Sequence, residues 1–263
     1  MTAFPLVLAD SATMLRRTLR RMRRYPSLTF FVVGIPIVFL LLFVYVLGGT
    51  LGNGLGGAAG GRDDYIAYVI PGILLITVAS GATGTAISVA MDMTEGIIAR
   101  FKTMAVARAS VMAGHVLGAV IQTMFAVVVV MGVALLIGFR PTTGPAEWLI
   151  AGGLLLLTAF AISWLCVALG LVSGSVETAS NLPMPLSLLP FFGSGFVPTD
   201  SMPDVLRWFA DIQPFTPIME TLRGLLLGTP IGMSGLLAVG WCVAISVVSY
   251  LWAIRLYDRN PAT

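Results

Sequence analysis

Side chains that could catalyse a reaction, bind a metal or exchange protons are scarce in this sequence. It holds one histidine, His115, and two cysteines, Cys166 and Cys242, which lie in separate apolar runs. A histidine-based triad or a multi-histidine metal site therefore has almost nothing to build from. The two cysteines are typical of buried packing residues rather than of a disulfide or a metal pair. This inventory argues against an enzyme.

Proton or ion coupling needs an ionisable group within the membrane-embedded part of a carrier. We expect no Asp or Glu inside the apolar runs of this chain, which leaves His115 as the titratable candidate. Gln122 lies seven residues further on and on the same helical face, so the favoured interpretation is polar packing between helices. A proton relay is the less favoured alternative.

The chain has no nucleotide-binding motif of its own. A P-loop ends in Gly-Lys-Ser/Thr, but the single lysine, Lys102, follows Phe101. Active transport would therefore draw its energy from another polypeptide, and we expect no cofactor in this chain.

The stretch TEGIIARFKTMAVAR, residues 94–108, is charged, whereas the apolar runs on both sides are not. As a short helix it would carry an apolar stripe of Ile97, Phe101 and Met104. Polar contacts would come from Glu95, Arg100 and Lys102 beside that stripe. Such a helix could dock into a groove of a soluble partner, or the stretch could be a basic loop on the lipid surface. The residues alone leave both readings open.

The elements that must position this stretch are membrane helices. The 263 residues are 57% hydrophobic and 10% charged, against about 25% charged in a soluble domain, and the mean hydropathy is +0.96. We predict an all-α polytopic membrane protein, since a span needs about 20 apolar residues. The six predicted spans are 27–48, 65–91, 111–138, 148–173, 178–197 and 233–254.

Two of the six runs allow a second interpretation. The first run could be a secretory signal, but its length and the absence of a cleavage site favour a retained span. The fifth run contains Pro183, Pro185 and Pro190, so we expect kinks or a broken helix there.

The basic residues indicate the orientation of the chain. Eleven of the fifteen would lie on the side that holds both termini and the 94–108 stretch, which makes that side cytoplasmic. Six of them lie within Arg16–Arg24, on one face of a predicted amphipathic helix that spans residues 1–26. Local basicity of this kind favours a membrane surface over nucleic acid. Residues 255–263 would form a cytoplasmic tail.

Two outer segments are distinctive. The glycine-rich stretch 48–61 fits a flexible external loop, because its Gly-x-Gly-x-x-Gly spacing has no strand before it. Prolines interrupt residues 201–230, so two short amphipathic helices at about 203–212 and 216–227 are predicted there, on or within the outer leaflet.

Two blocks of the sequence resemble the type-2 ABC exporter permeases. In the first, the match to the cytoplasmic loop of that family covers Glu95, Gly96, Arg100, Val106 and Arg108, and Ala105 stands where a proline is frequent. The second block runs from Phe192 to Gly228. It matches at Phe192, Ser194, Gly195, Pro198, Asp200, Met202, Pro203, Pro214, Phe215, Thr216, Leu222, Arg223, Leu225 and Gly228. Within the family, the chain is most similar in character to the daunorubicin-resistance-type drug-efflux permeases of actinobacteria.

The resemblance implies a mechanism and partners. Residues 1–26 would be an interfacial elbow helix in a bacterial plasma membrane. Two permease subunits, identical or different, would pair with two ABC ATPase subunits that bind ATP and magnesium. The coupling helix seated in the ATPase would contain Glu95, Gly96, Ile97, Arg100, Phe101, Lys102, Met104 and Arg108. External re-entrant helices near the exit would contain Pro198, Asp200, Pro203, Pro214, Glu220 and Arg223.

The cargo of such an exporter is inferred from the resemblance to drug-efflux permeases and from the uncharged spans. A hydrophobic or amphipathic compound, such as a drug, glycolipid or polyketide lipid, needs no counter-charge inside the membrane. A polysaccharide-exporter permease is the alternative within transport, and a membrane scaffold that binds a cytoplasmic partner is the alternative outside it. The sequence does not identify the compound or the ATPase, and physical reasoning alone does not fix the direction of transport.

Overall fold

The computed structural model of the chain describes Arg16 and residues 26–54, 61–96 and 108–259. All regular structure in these ranges is helical, as predicted. The predicted elbow helix, apart from Arg16 and Pro26, and residues 55–60 and 97–107 lie outside the described residues. The helices, in chain order, are α1 (Pro26–Leu41), α2 (Gly48–Gly54), α3 (Arg62–Thr94), α4 (Arg108–Leu136), α5 (Pro145–Val172), α6 (Val176–Asn181), α7 (Met184–Leu188), α8 (Asp204–Ile212), α9 (Phe215–Leu227) and α10 (Ser234–Arg259).

The described residues contain five helices that are long and apolar enough to cross a membrane. They match the predicted first, second, third, fourth and sixth spans to within a few residues. Their bounds are Phe30–Gly52, Arg62–Thr94, Ser110–Leu136, Pro145–Val172 and Ser234–Tyr257. The last of these helices continues to Arg259, so the predicted tail begins as helix. The prediction of a flexible loop at 48–61 is wrong for Gly48–Gly54, which are helical and continue the first span.

The first span is one continuous helical path with a change of pitch. Between α1 and α2, residues Leu42–Leu47 form a π-helical turn. At this turn, the guanidinium of Arg62 lies 4.0 Å from the centre of the Tyr45 ring. This cation–π contact ties the start of α3 to the first span.

The second span is longer than the sequence predicted. Helix α3 extends the predicted 65–91 by three residues at each end. Its first turn gains Asp63 and Asp64, whose charges suit a helix N-terminus. Its last turn gains Asp92, which is buried. The prediction that the membrane helices hold no acidic side chain is therefore wrong at the ends of α3, and also in the first turn of α5, which holds Glu147.

The predicted fifth span is broken, as its prolines indicated. Helices α6 and α7 are six and five residues long, and a 3-10 turn follows at Leu189–Phe192. Proline has no N–H for the helical ladder and clashes with the preceding turn, which explains the interruptions. The broken helix is confirmed, whereas a sixth membrane crossing stays a prediction.

Helix α5 lies at the centre of the bundle and packs against α3, α4, α9 and α10. It approaches α3 closely at Gly170, which faces the backbone of Ala86. Helices α3 and α5 are mostly buried, whereas the first span and α10 expose most of their apolar side chains. Lipid chains are as apolar as these side chains, so this exposure costs little in a bilayer.

Candidate functional site

The charged stretch begins at a well-defined helix end. The N–H of Glu95 donates to the carbonyl of Met91 at 2.9 Å, and the N–H of Gly96 donates to the carbonyl of Met93 at 3.1 Å. Gly96 has φ +68°, a left-handed conformation in which glycine commonly ends a helix. Helix α4 then begins at Arg108. The stretch is thus held between two fixed helix ends.

Most of the predicted partner-binding residues lie outside the described residues. These are Ile97, Arg100, Phe101, Lys102 and Met104. Their assignment to a coupling helix stays a prediction, as does the part that Glu95 and Arg108 would take in it.

A buried polar cluster joins α3 and α4 just behind this stretch. His115 Nε2 lies 3.1 Å from Asp92 Oδ2, and His115 Nδ1 lies 3.4 Å from Ser88 Oγ. Ser88 and Asp92 are one helical turn apart, so both side chains face α4. The prediction that His115 packs between helices is confirmed, with Ser88 and Asp92 of α3 as its partners, and the pairing of His115 with Gln122 stays a prediction.

The three residue types would suit nucleophilic catalysis, but their setting does not. A hydrolase of this kind needs backbone N–H donors beside the nucleophile to stabilise an oxyanion. Ser88 lies well inside α3, where the N–H groups are bonded to carbonyls of the preceding turn. The cluster therefore acts as an interhelical link rather than as a catalytic centre. No group of three metal-ligating side chains occurs among the described residues.

The predicted external residues are all described, and Arg223 is the one that joins several elements. Its Nη2 donates to the carbonyl of Ser194 at 2.6 Å and to that of Tyr68 at 3.4 Å. Its guanidinium also lies 4.0 Å from the centre of the Tyr68 ring. Arg223 on α9 therefore links the N-terminal part of α3 to the loop that follows the broken segment.

The other predicted external residues shape or brace the two short helices. Pro203 and Pro214 stand immediately before α8 and α9, as N-caps. Asp200 pairs with Arg207 at 2.6 Å in an exposed ion pair, and Pro198 precedes the 3-10 turn that holds Asp200. Glu220 accepts a hydrogen bond from Ser234 Oγ at 2.7 Å, which links α9 to α10. The predicted pair of helices at 203–212 and 216–227 is confirmed.

The loop before α8 reaches into the bundle. A side chain at Gly72 would lie 2.9 Å from the carbonyl oxygen of Gly195, so the two backbones are in contact. Gly72 is ten residues into α3, about 15 Å along the helix axis at 1.5 Å per residue. Beside this contact, Phe196 stacks on Phe191 at 4.9 Å and lies 4.5 Å from Phe43 of the first span.

Sequence comparison identifies the family. The model of the ABC-2 type transporter family matches residues 11–227. The chain belongs to this family. This ABC-2 type chain is accordingly a transporter permease rather than an enzyme, and the five apolar helices among its described residues make it a multi-pass membrane protein.

Three relatives of this ABC-2 type chain are informative. It is 29% identical to the daunorubicin resistance ABC transporter permease protein DrrB1 of Streptomyces coeruleorubidus, over 97% of this chain and 88% of that protein. It is 27% identical to the probable doxorubicin resistance ABC transporter permease protein DrrC of Mycobacterium tuberculosis, over 90% of this chain and 85% of that protein. With ABC transporter G family member 20 of Dictyostelium discoideum the identity is 26%, over 76% of this chain and 28% of that protein.

Sequence reasoning missed the residues that hold the two important side chains. Asp92 follows the last residue of the predicted second span, and Ser88 and Tyr68 lie within that span without any pattern that marks them. A helical-wheel count was available for Ser88 and Asp92, which lie four residues apart, but their histidine partner is 23 residues from Asp92 along the chain.

Proposed function

We propose that this chain is the membrane permease subunit of an ATP-driven exporter for hydrophobic or amphipathic compounds. The observation that carries the proposal is its likeness to drug-resistance ABC transporter permeases over nearly its whole length. Two copies, or this chain and a related one, would enclose the path. A separate pair of ABC ATPase subunits would bind ATP and Mg²⁺.

The geometry of α3 and α4 supports a mechanical role for the stretch between them. Residues 95–107 connect the ends of two long helices, so a displacement of this stretch by a closing ATPase pair would move both helices together. We place this stretch and both termini in the cytoplasm of a bacterial cell, according to the distribution of basic residues.

We assign residues 192–228, the outer segment, to the exit of the transport path. The contact between Gly195 and Gly72 supports a re-entrant path for the loop before α8. On α8, Val205, Trp208 and Ile212 form an exposed apolar face, and the charged Arg207 and Asp211 lie on another. This amphipathic pattern supports burial of α8 in the outer leaflet, with its charges toward water.

We infer the class of transported compound from the side chains that the spans expose. Most exposed side chains of the described spans are aliphatic or aromatic, which suits compounds that partition into lipid. A polysaccharide path would need more polar and aromatic lining, and a scaffold that does not transport would need no path at all.

Export by reconstituted complexes tests the proposal. We expect an adjacent reading frame to encode an ATPase with a Walker motif, and the two proteins to co-purify. Vesicles that contain the complex should move daunorubicin only when ATP and Mg²⁺ are supplied on the ATPase side. A complex that binds its ATPase but moves neither daunorubicin nor doxorubicin would favour the scaffold, and ATP-driven movement of a polysaccharide instead would favour the alternative cargo.

Charge reversal in the 94–108 stretch should uncouple ATP hydrolysis from export. We expect Glu95→Lys and Arg100→Glu each to lower the export of daunorubicin per ATP hydrolysed, because their polar contacts to the ATPase would become repulsive. Membrane insertion should be unchanged, since neither residue lies in a span. Asp204→Lys, a charge reversal at an exposed position on the opposite side of the membrane in this orientation, is the control. Normal export by both variants would contradict the docking of this stretch.

Cysteine labelling tests the orientation. Both native cysteines are buried and free, so a membrane-impermeant maleimide should label the wild-type protein weakly. In intact cells we expect Gly57→Cys to be labelled and Ala99→Cys to be protected until the membrane is permeabilised. The reverse pattern would place residues 94–108 outside and refute the proposed topology.

A further inference from the structure

Asp92 occupies a position that two independent rules disfavour. It lies in the last turn of α3, where the negative end of the helix dipole repels a carboxylate. It is also 1% exposed, and a buried charge is costly unless it is paired. A carboxylate in this position needs a partner that offsets the cost of burial and of the helix dipole. His115 of α4 is close enough to be that partner.

One tautomer of His115 satisfies both of its neighbours. In its neutral form, His115 satisfies the cluster when Nε2–H donates to Asp92 Oδ2 and Nδ1 accepts from the hydroxyl of Ser88. Both ring nitrogens are then used, so the orientation of the ring is fixed from two sides. Hydrogen bonds to a carboxylate are about twice as strong as neutral ones, and a surrounding of low dielectric strengthens them further.

The cluster also lies at a mechanically significant place. Asp92 is two residues before the end of α3, and His115 is seven residues after the start of α4. The bond between them therefore joins the two helices close to where each connects to residues 95–107. Neighbouring contacts come from apolar side chains such as Val89 and Met112, which hold helices together without fixing their register.

We propose that Asp92, His115 and Ser88 form a loop-base clamp, which makes α3 and α4 move as one unit when the 95–107 stretch is displaced. This inference rests on the proposed function, because it gives positioning residues for the coupling of ATP hydrolysis to export. Without the clamp, α3 and α4 slide or separate at their cytoplasmic ends, and part of the displacement is lost before it reaches the outer half of the bundle.

The test compares export per ATP hydrolysed in reconstituted complexes with daunorubicin as the probe. The double variant Asp92→Leu/His115→Leu removes both polar partners, and exchange of a whole buried pair for apolar residues is usually tolerated by the fold. We expect its export per ATP to fall at least about fivefold, the lower end of typical coupling between sites. Asp92→Asn keeps an acceptor for His115 but loses the charge. Its export per ATP hydrolysed should therefore lie between that of the wild type and that of the double variant.

Thr158→Val is the matched control. Thr158 is equally buried, and its Oγ1 lies 3.5 Å from Cys242 Sγ, a polar contact between α5 and α10 rather than between α3 and α4. We expect this variant to keep the wild-type export per ATP. An equal fall in Thr158→Val would show that any buried polar contact matters, and would overturn the clamp.

The outcomes separate the clamp from the proposed function. If the wild-type complex exports daunorubicin and both clamp variants keep its export per ATP, the clamp is refuted while the exporter stands. If the wild-type complex does not export, the proposed function itself fails. Should the double variant not be recovered from membranes, Asp92→Asn decides: a reduced ratio supports the clamp, and an unchanged ratio overturns it.

Discussion

Gly170→Ala should destabilise the protein, even though alanine is the best helix former. A Cβ atom at this position of α5 would lie 2.6 Å from the carbonyl oxygen of Ala86 and 3.0 Å from the Val89 side chain. The first contact is with backbone, which cannot turn aside as a flexible side chain could. The methyl group must therefore push α3 and α5 apart. Overpacking of this kind costs about 1–3 kcal/mol.

Gly153→Ala is the control for this prediction, because it is the same change in the same helix. Gly153 is exposed, and a Cβ atom there would meet nothing within 4 Å. Only the helix-forming tendency changes, which favours alanine by about 0.5–1 kcal/mol. Thermal unfolding of the detergent-solubilised protein should show a lower midpoint for Gly170→Ala and an equal or higher one for Gly153→Ala. Equal midpoints for the two variants would mean that α3 and α5 are not in contact at Gly170.

Arg223→Met should have the largest effect among single changes in the outer segment. Methionine keeps much of the length of the side chain but cannot donate to the carbonyls of Ser194 and Tyr68. The cation–π contact with the Tyr68 ring is lost as well. Loss of a charged donor and of this contact costs about 3 kcal/mol together. The loop before α8 then loses its attachment to α3.

Arg207→Met is the matched control for Arg223→Met. Arg207 lies in the same outer segment and pairs with Asp200, but both side chains are largely exposed. Exposed ion pairs contribute about 0–1 kcal/mol, so this variant should unfold near the wild-type temperature. Limited proteolysis of residues 193–203 gives a second readout, since cleavage should accelerate only in Arg223→Met. Faster cleavage in both variants, or in neither, would contradict the anchoring role of Arg223.

Local patterns were sufficient to predict much of the fold. Twenty or so apolar residues in a row place a span wherever they occur, which gave the five observed helices. Prolines break residues 178–197 and precede α8 and α9. Each proline acts through its own backbone, so its effect on a helix can be predicted from the local sequence. The resemblance in residues 192–228 includes Arg223, without indicating what this side chain contacts.

The candidate clamp needed contacts that are distant along the chain. A hydropathy argument ends a span at the first charged residue, and it therefore stopped at Met91 and excluded Asp92. The helix continues because His115, on the following helix, offsets the cost of the buried carboxylate. Similarly, Arg223 contacts Tyr68, from which it is separated by 155 positions along the chain. Such pairings depend on how helices pack, which periodicity within one helix does not encode.

The wide turn at Leu42–Leu47 has a consequence for rotation about the axis of the first span. A π-helical turn holds roughly one residue more than an α-helical turn, and each residue corresponds to about 100° of rotation. Residues beyond Leu47 are therefore rotated about the helix axis relative to the positions that they would take in an uninterrupted α-helix. If the wide turn travels along the helix, the side chains that it passes exchange their lipid-facing and bundle-facing positions, while both ends of the span stay at their depth in the bilayer.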